Sequence, residues 1–122
     1  MSRVVHFEIP ADDPNRASAF YTAAFGWKFQ KWGGPQDYWM IETGPKDVPG
    51  INGGLYKRQP GQTNYVNTVD VASLEEAMGM VTRAGGKIVM PKTTVPGIGY
   101  FASCLDTEGN TFSIMQFDDK AK

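Results

Sequence analysis

Residues 4–26, VVHFEIPADDPNRASAFYTAAFG, and residues 64–86, NYVNTVDVASLEEAMGMVTRAGG, carry the same message sixty positions apart. Each reads as a strand, a capped helix and a glycine stop. In the first copy residues 4–9 alternate as a strand. Asp13 then caps a helix whose first position is Pro14, where the missing N–H is not needed. Ala17, Phe20, Tyr21 and Ala24 recur at helical spacing, which predicts one apolar stripe. Gly26 stops the helix. In the second copy residues 64–71 form the strand. Ser73 and Glu76 have capping-box spacing, and Leu74, Ala77, Met78 and Val81 give the stripe. Gly85 and Gly86 end it. A duplicated unit this short implies a pseudo-twofold fold with a site sought at matching positions in both halves.

Working outward, each copy is followed by three strand-like runs. In the first half these are residues 27–32, 37–43 and 51–58, separated by the Gly33-Gly34-Pro35 turn and a polar loop at 44–50. In the second half they are residues 87–91, 99–105 and 110–117, with a turn at 106–110 whose Gly109 suits a positive φ. Residues 58–62 are the expected link, and 118–122 a charged, frayed tail. The expected organisation is one domain over 1–122, with a first module at about 1–58 and a second at about 63–118. The fold class is α+β.

Composition bounds the function. The 122 residues make room for one core. The 12 basic and 13 acidic side chains create no basic field, so nucleic acid is not an expected partner. No apolar run is long enough for a membrane helix. The chain enters its strand pattern at once, leaving no room for a signal peptide. The single Cys104 has no internal disulfide partner and lies in an apolar run, as a buried thiol would. These features favour the cytoplasm.

Two motifs then carry a resemblance. His6-Phe7-Glu8-Ile9-Pro10-Ala11-Asp12-Asp13-Pro14 runs into Ala19-Phe20-Tyr21 and Phe25-Gly26-Trp27. Asp106-Thr107-Glu108-Gly109-Asn110 runs into Phe112-Ser113-Ile114-Met115-Gln116. At this separation, with the internal repeat, the chain resembles the glyoxalase/bleomycin resistance protein/dioxygenase group, the vicinal oxygen chelate superfamily, along essentially its whole length. The resemblance implies two βαβββ modules forming a curved, partly open mixed sheet around a cavity, with helices outside. It also implies a homodimer, since a second subunit commonly completes the open edges and cavities of this family.

In metal-using members the ligands come from the first and last strands of each module, usually His or Glu. His6 matches the first-strand ligand. Its counterpart falls near Val66, or at Thr63 under a shorter offset, and neither is a ligand. The last-strand carboxylates fall near Gly53 and Ser113, and neither supplies one. A divalent ion needs about four to six convergent donors. No metal cofactor is therefore expected, although a site completed by His6, Glu8 and a further group across a dimer interface stays open.

Alternation puts Phe7 toward the helices and His6 with Glu8 on the other face, which in the implied fold is the cavity side. These two are the candidate catalytic residues, as a general base with a carboxylate partner. They are equally a hydrogen-bonded pair lining a pocket. His6, Glu8, Trp39, Asn64, Thr68, Tyr100 and Ser113 form the expected small-molecule site, with aromatic walls and a few fixing polar groups. Trp27, Trp32, Tyr38, Tyr56 and Tyr65 also cluster in or beside strands, as walls or as core and interface fillers. Neither glycine pair, Gly33-Gly34 or Gly53-Gly54, has a phosphate-loop context, and no nucleophile elbow is present.

Three functions fit this reading. One is metal-independent binding of a small organic molecule, of the bleomycin-resistance kind. A second is a lactoylglutathione lyase-related lyase or isomerase using His6 and Glu8 in an acid/base or metal role. A third is a stress or regulatory protein with a vestigial pocket.

Overall fold

The computed structural model describes residues 1–62 and 64–122; the alternative equivalence at Thr63 lies outside them. The described chain divides into two compact units, His6–Tyr65 and Val66–Lys122, and the latter also takes in Met1–Val5. The division comes just after the expected link at 58–62.

The first unit contains β1 (Val4–Ala11, whose first two residues belong to the other unit), α1 (Pro14–Phe25), β2 (Lys28–Lys31), β3 (Tyr38–Glu42) and β4 (Gly53–Lys57). Its sheet order is β2-β3-β4-β1; β1 and β4 are parallel, the other pairs antiparallel. The second unit contains β5 (Val66–Asp70), α2 (Leu74–Arg83), β6 (Lys87–Val95), β7 (Gly99–Leu105) and β8 (Thr111–Phe117). Its order, β5-β8-β7-β6, repeats the first unit's pattern, with β5 and β8 parallel. The fold is α+β, built from two βαβββ modules.

The helix ends follow the sequence. The Asp13 carboxylate accepts the Arg16 N–H at 3.1 Å, and Gly26 adopts φ 75° to close α1. The Ser73 hydroxyl accepts the Glu76 N–H at 3.3 Å. A further cap comes from far along the chain, where the Gln116 side-chain carbonyl on β8 accepts the Leu74 N–H at 2.9 Å. Orphan N–H groups at a helix start need such partners.

In each unit one face of the four strands packs against that unit's helix. In the first unit Ile9, Ala11, Ile41 and Leu55 are buried together, with Phe7, Ala17, Tyr21, Trp27, Phe29 and Trp39 against them. In the second, Leu74, Ala102, Cys104 and Ile114 are buried, joined by Val69, Met78, Val81 and Tyr100.

Three expectations need correction. The α1 stripe is narrower than its spacing suggests: Ala17 and Tyr21 pack on the sheet, while Phe20 is 60% exposed and Ala24 is also exposed. Aromatics at both 20 and 21 cannot share one narrow contact line, and Tyr21 takes it by stacking on Trp27 at 4.9 Å. Strand β6 continues to Val95, past Pro91. It is the edge strand, and its register shifts between Ile88 and Met90 and between Met90 and Thr93, so the missing proline N–H falls where the ladder is already broken. The tail is docked: Ala121 is 4% exposed and its carbonyl accepts the Gly97 N–H at 2.9 Å.

Candidate functional site

Strand register sorts the site residues by face. In β1, Phe7 and Ile9 point into the α1 core, so His6 and Glu8 lie on the opposite face. Glu8 is paired with Gly54 on β4, and Gly54 with Met40 on β3. Tyr38 on β3 pairs with Tyr56 on β4, and both share the face of Glu8.

The geometry turns on Gly54. A Cβ there would lie 1.7 Å from the Tyr38 hydroxyl oxygen and 2.0 Å from its Cζ. The absent side chain is what lets the Tyr38 phenol lie down across β4. From there its hydroxyl shares a hydrogen bond of 2.8 Å with His6 Nε2. The same Nε2 is 4.0 Å from a Glu8 carboxylate oxygen, and both side chains are about three-quarters covered, at 26% and 27% exposure. Trp32 stands edge-on to Tyr38, ring centres 6.4 Å apart.

Burial sets the electrostatics. It holds the His6 imidazole below its usual value, so the ring is neutral at pH 7. It pushes the Glu8 carboxyl up, opposed in part by the Tyr38 hydroxyl. The Tyr38 phenol is raised strongly by burial and then by the Glu8 charge. Tyr56 is raised by burial and by Glu8, with Arg58 acting the other way. Desolvation penalises each charged form, which leaves the imidazole and the two phenols neutral near pH 7 and Glu8 as the acidic group of the cluster.

The sign of the Glu8 effect gives a prediction. A raised carboxyl favours the folded state below the unfolded value of about 4.5, and that advantage is lost as pH rises through the folded value. Glu8→Gln therefore raises Tm at pH 7, and the gain vanishes on titration to pH 4. His6 works the opposite way, its lowered value removing stability as pH falls below about 6.5. The difference between wild type and Glu8→Gln isolates Glu8. An equal Tm difference at both pH values would remove the burial argument.

The other expected site residues distribute differently. Thr68 and Ser113 are buried neighbours in register on the face of the second unit's strands away from α2, where Ser103 adjoins Ser113. Trp39 departs from the expectation: it packs on the helix-side core, with Lys31 Nζ 5.5 Å from its ring centre. Tyr100 likewise packs on the α2 side, under Lys92 Nζ at 4.6 Å. Both occupy the strand phase opposite to the one expected. Asn64 is exposed just before β5. Tyr38 and Tyr56, which the sequence offered only as walls or fillers and not among the seven expected site residues, are the aromatics on the face of Glu8. The signal was the alternation beside Trp39, which forces Tyr38 and Met40 onto one face and Trp39 onto the other.

The internal repeat also assigns equivalence. Glu8–Gly54 and Thr68–Ser113 are matching parallel pairs, so His6 matches Val66, and Gly54 rather than Gly53 matches Ser113. Gly53 belongs to the core face, where a Cβ would meet the Phe7 carbonyl oxygen at 2.5 Å. The positions implied for a family metal thus hold one imidazole, a valine, a glycine and a serine. Among the described residues no three His, Cys, Asp or Glu side chains converge. This donor set does not fit the metal.

A cleft of about 480 Å³ opens elsewhere in the first unit, at the start of α1, between Asp13, Arg16, Phe20, Tyr21 and Tyr65. The Tyr21 and Tyr65 hydroxyls are 2.7 Å apart there, and their mutual bond pushes the Tyr21 phenol up to about 12. Neither His6 nor Glu8 lines it.

Comparison with known proteins accords with this architecture. Residues 3–44 match the family described as Bleomycin resistance protein-like N-terminal. A "Glyoxylase-like domain-containing protein" from Didymella fabae is 36% identical over 115 residues, covering 88% of each chain. The chain belongs to the glyoxalase/bleomycin resistance protein/dioxygenase superfamily. The fold is shared with a hypothetical protein from Bacillus halodurans C-125, at TM-score 0.74 and 12% identity, over 99% of this chain and 98% of that one. It is shared too with Streptomyces coelicolor methylmalonyl-CoA epimerase in complex with 2-nitronate-propionyl-CoA, at TM-score 0.71 and 12% identity, over 98% and 97%. At such identity the likeness is one of fold, and sites are grafted onto folds independently.

Proposed function

We infer that this glyoxalase-like protein binds a small organic molecule on the His6–Glu8–Tyr38–Tyr56 face without the metal used by other members of its superfamily. The observation that carries this reading is the Tyr38 phenol lying on Gly54 and bonded to His6 Nε2. It fills the space from which the last strand of the first module would project a ligand, and engages the imidazole nitrogen on that side. What remains is a partly buried polar cluster with aromatic walls, the composition of a small-molecule site.

The test is elemental analysis of purified protein, followed by thermal-shift titration with Ni, Zn, Mn, Fe(II) and Co, then with small aromatic and thiol-conjugated compounds. The expected result is no stoichiometric metal and a Tm rise with at least one organic compound. A ligand at a hundred times its Kd stabilises by about 2.7 kcal/mol, well within reach of the measurement. A stoichiometric metal whose stabilisation disappears in His6→Ala would overturn the reading.

A lyase or isomerase is the second reading, favoured by one observation: Glu8 is raised by burial beside a phenol, and a carboxylate lifted above its ordinary value is a stronger general base. It requires Glu8-dependent exchange of a substrate C–H with deuterated solvent.

A further inference from the structure

We propose that the ligand taken by this face is an organic cation, a protonated or quaternary amine whose charge pairs with Glu8 and whose carbon skeleton lies against Tyr38, Tyr56 and Trp32. The proposal rests on the binding-site reading above and narrows it to one chemical class.

The argument begins with what surrounds the carboxylate. Glu8 is only 27% exposed, yet its ion-pair partner within 4.0 Å among the described residues is His6, an imidazole that burial keeps neutral. Its other close neighbours are the phenols of Tyr38 and Tyr56. Arg58, the guanidinium that acts on Tyr56, is committed elsewhere: its Nε donates to the Asp12 carboxylate at 2.9 Å and its Nη1 to the Gln62 carbonyl at 2.9 Å. A covered carboxylate without a cation is an unusual thing for a fold to keep, because buried charges are ordinarily paired. A ligand ammonium would supply the missing charge.

The walls suit the same guest. Aromatic faces attract cations through their quadrupoles, and most strongly where water is excluded. Tyr38 and Tyr56 sit side by side on adjacent strands, and Trp32 stands edge-on to Tyr38. Met40, 43% exposed on the same face, adds a polarisable apolar surface. An anionic ligand would meet the Glu8 charge directly. A neutral one would leave that charge unpaired.

The experiment compares phenethylamine, phenethyl alcohol and phenylpropanoate, which share a phenyl group and a short linker but differ in charge. Binding is followed by NMR through the indole N–H signal of Trp32, in the wild-type protein and in Glu8→Gln. The amine is expected to bind at least tenfold more tightly than the alcohol. That advantage is expected to disappear in Glu8→Gln, a variant that keeps the shape of the side chain. Equal or tighter binding of the alcohol or the carboxylate would overturn the cation assignment while leaving the site in place. If none of the three moves the Trp32 signal but another compound from the wider panel does, the class falls and the site stands. If no compound at all moves it, both fall.

Discussion

Gly99→Ala is expected to destabilise the protein by about 3–5 kcal/mol, the sum of overpacking and backbone strain. Gly99 is buried at the start of β7, with φ 155°, a conformation L-residues rarely adopt. A Cβ there would lie 2.1 Å from the Gln116 carbonyl oxygen and 3.0 Å from Phe117 Cα. These are backbone atoms of the neighbouring strand, paired with Gly99 in register, so no side chain is free to turn away. The strand itself would have to shift. Gln116 is also the residue whose side chain caps the first N–H of α2, so the displacement reaches the helix. For a domain of this length the loss corresponds to a fall in Tm of roughly 10–20 °C. Gly97→Ala is the control. Its φ is 76°, but nothing lies within 4 Å of its Cβ position, so only the local strain of about 1 kcal/mol applies. Thermal denaturation of both variants decides the matter, and equal losses would refute the close-approach argument.

The contrast between these glycines explains what the sequence could and could not convey. Helix punctuation is local chemistry. Asp13 before Pro14 and Ser73 before Leu74 act on N–H groups three residues away, and the structure has both caps. The sixty-residue offset is also internal to the chain, and the two modules repeat strand for strand. Facing is not local. Strands β2 to β5 are only 4 or 5 residues long, too short for alternation to establish its own phase. Trp39 and Tyr38 are adjacent aromatics with similar preference for a strand. The choice between them is made by the partner strand, where Leu55 meets Trp39 and Tyr56 meets Tyr38. The same ambiguity put Tyr100 on the wrong side of β7. Its neighbours Gly99 and Phe101 offered no polar contrast to reveal the phase. In the first strand the contrast was present, since His6 and Glu8 alternate with Phe7 and Ile9, and there the facing was legible.

Gly54→Ala should have the largest effect on binding while leaving the fold in place. Unlike Gly99, Gly54 is close to a side chain, the hydroxyl end of Tyr38. The phenol is able to swing away, so relief is cheaper than a strand shift. Its departure breaks the 2.8 Å bond to His6 Nε2 and removes the Tyr38 hydroxyl from Glu8. The loss of that bond and the partial clash together destabilise by about 1–3 kcal/mol. The consequence for function is greater, since the wall and the hydrogen-bond partner of the site move together. Affinity for any ligand of this face is expected to fall at least tenfold. The double variant Tyr38→Ala/Gly54→Ala supplies the check. With the phenol gone, the added Cβ has nothing to collide with. The stability cost of Gly54→Ala should then nearly vanish in the Tyr38→Ala background, leaving the two substitutions far from additive. Strict additivity would mean that Tyr38 does not lie on Gly54, and the geometry on which the binding reading depends would fall with it.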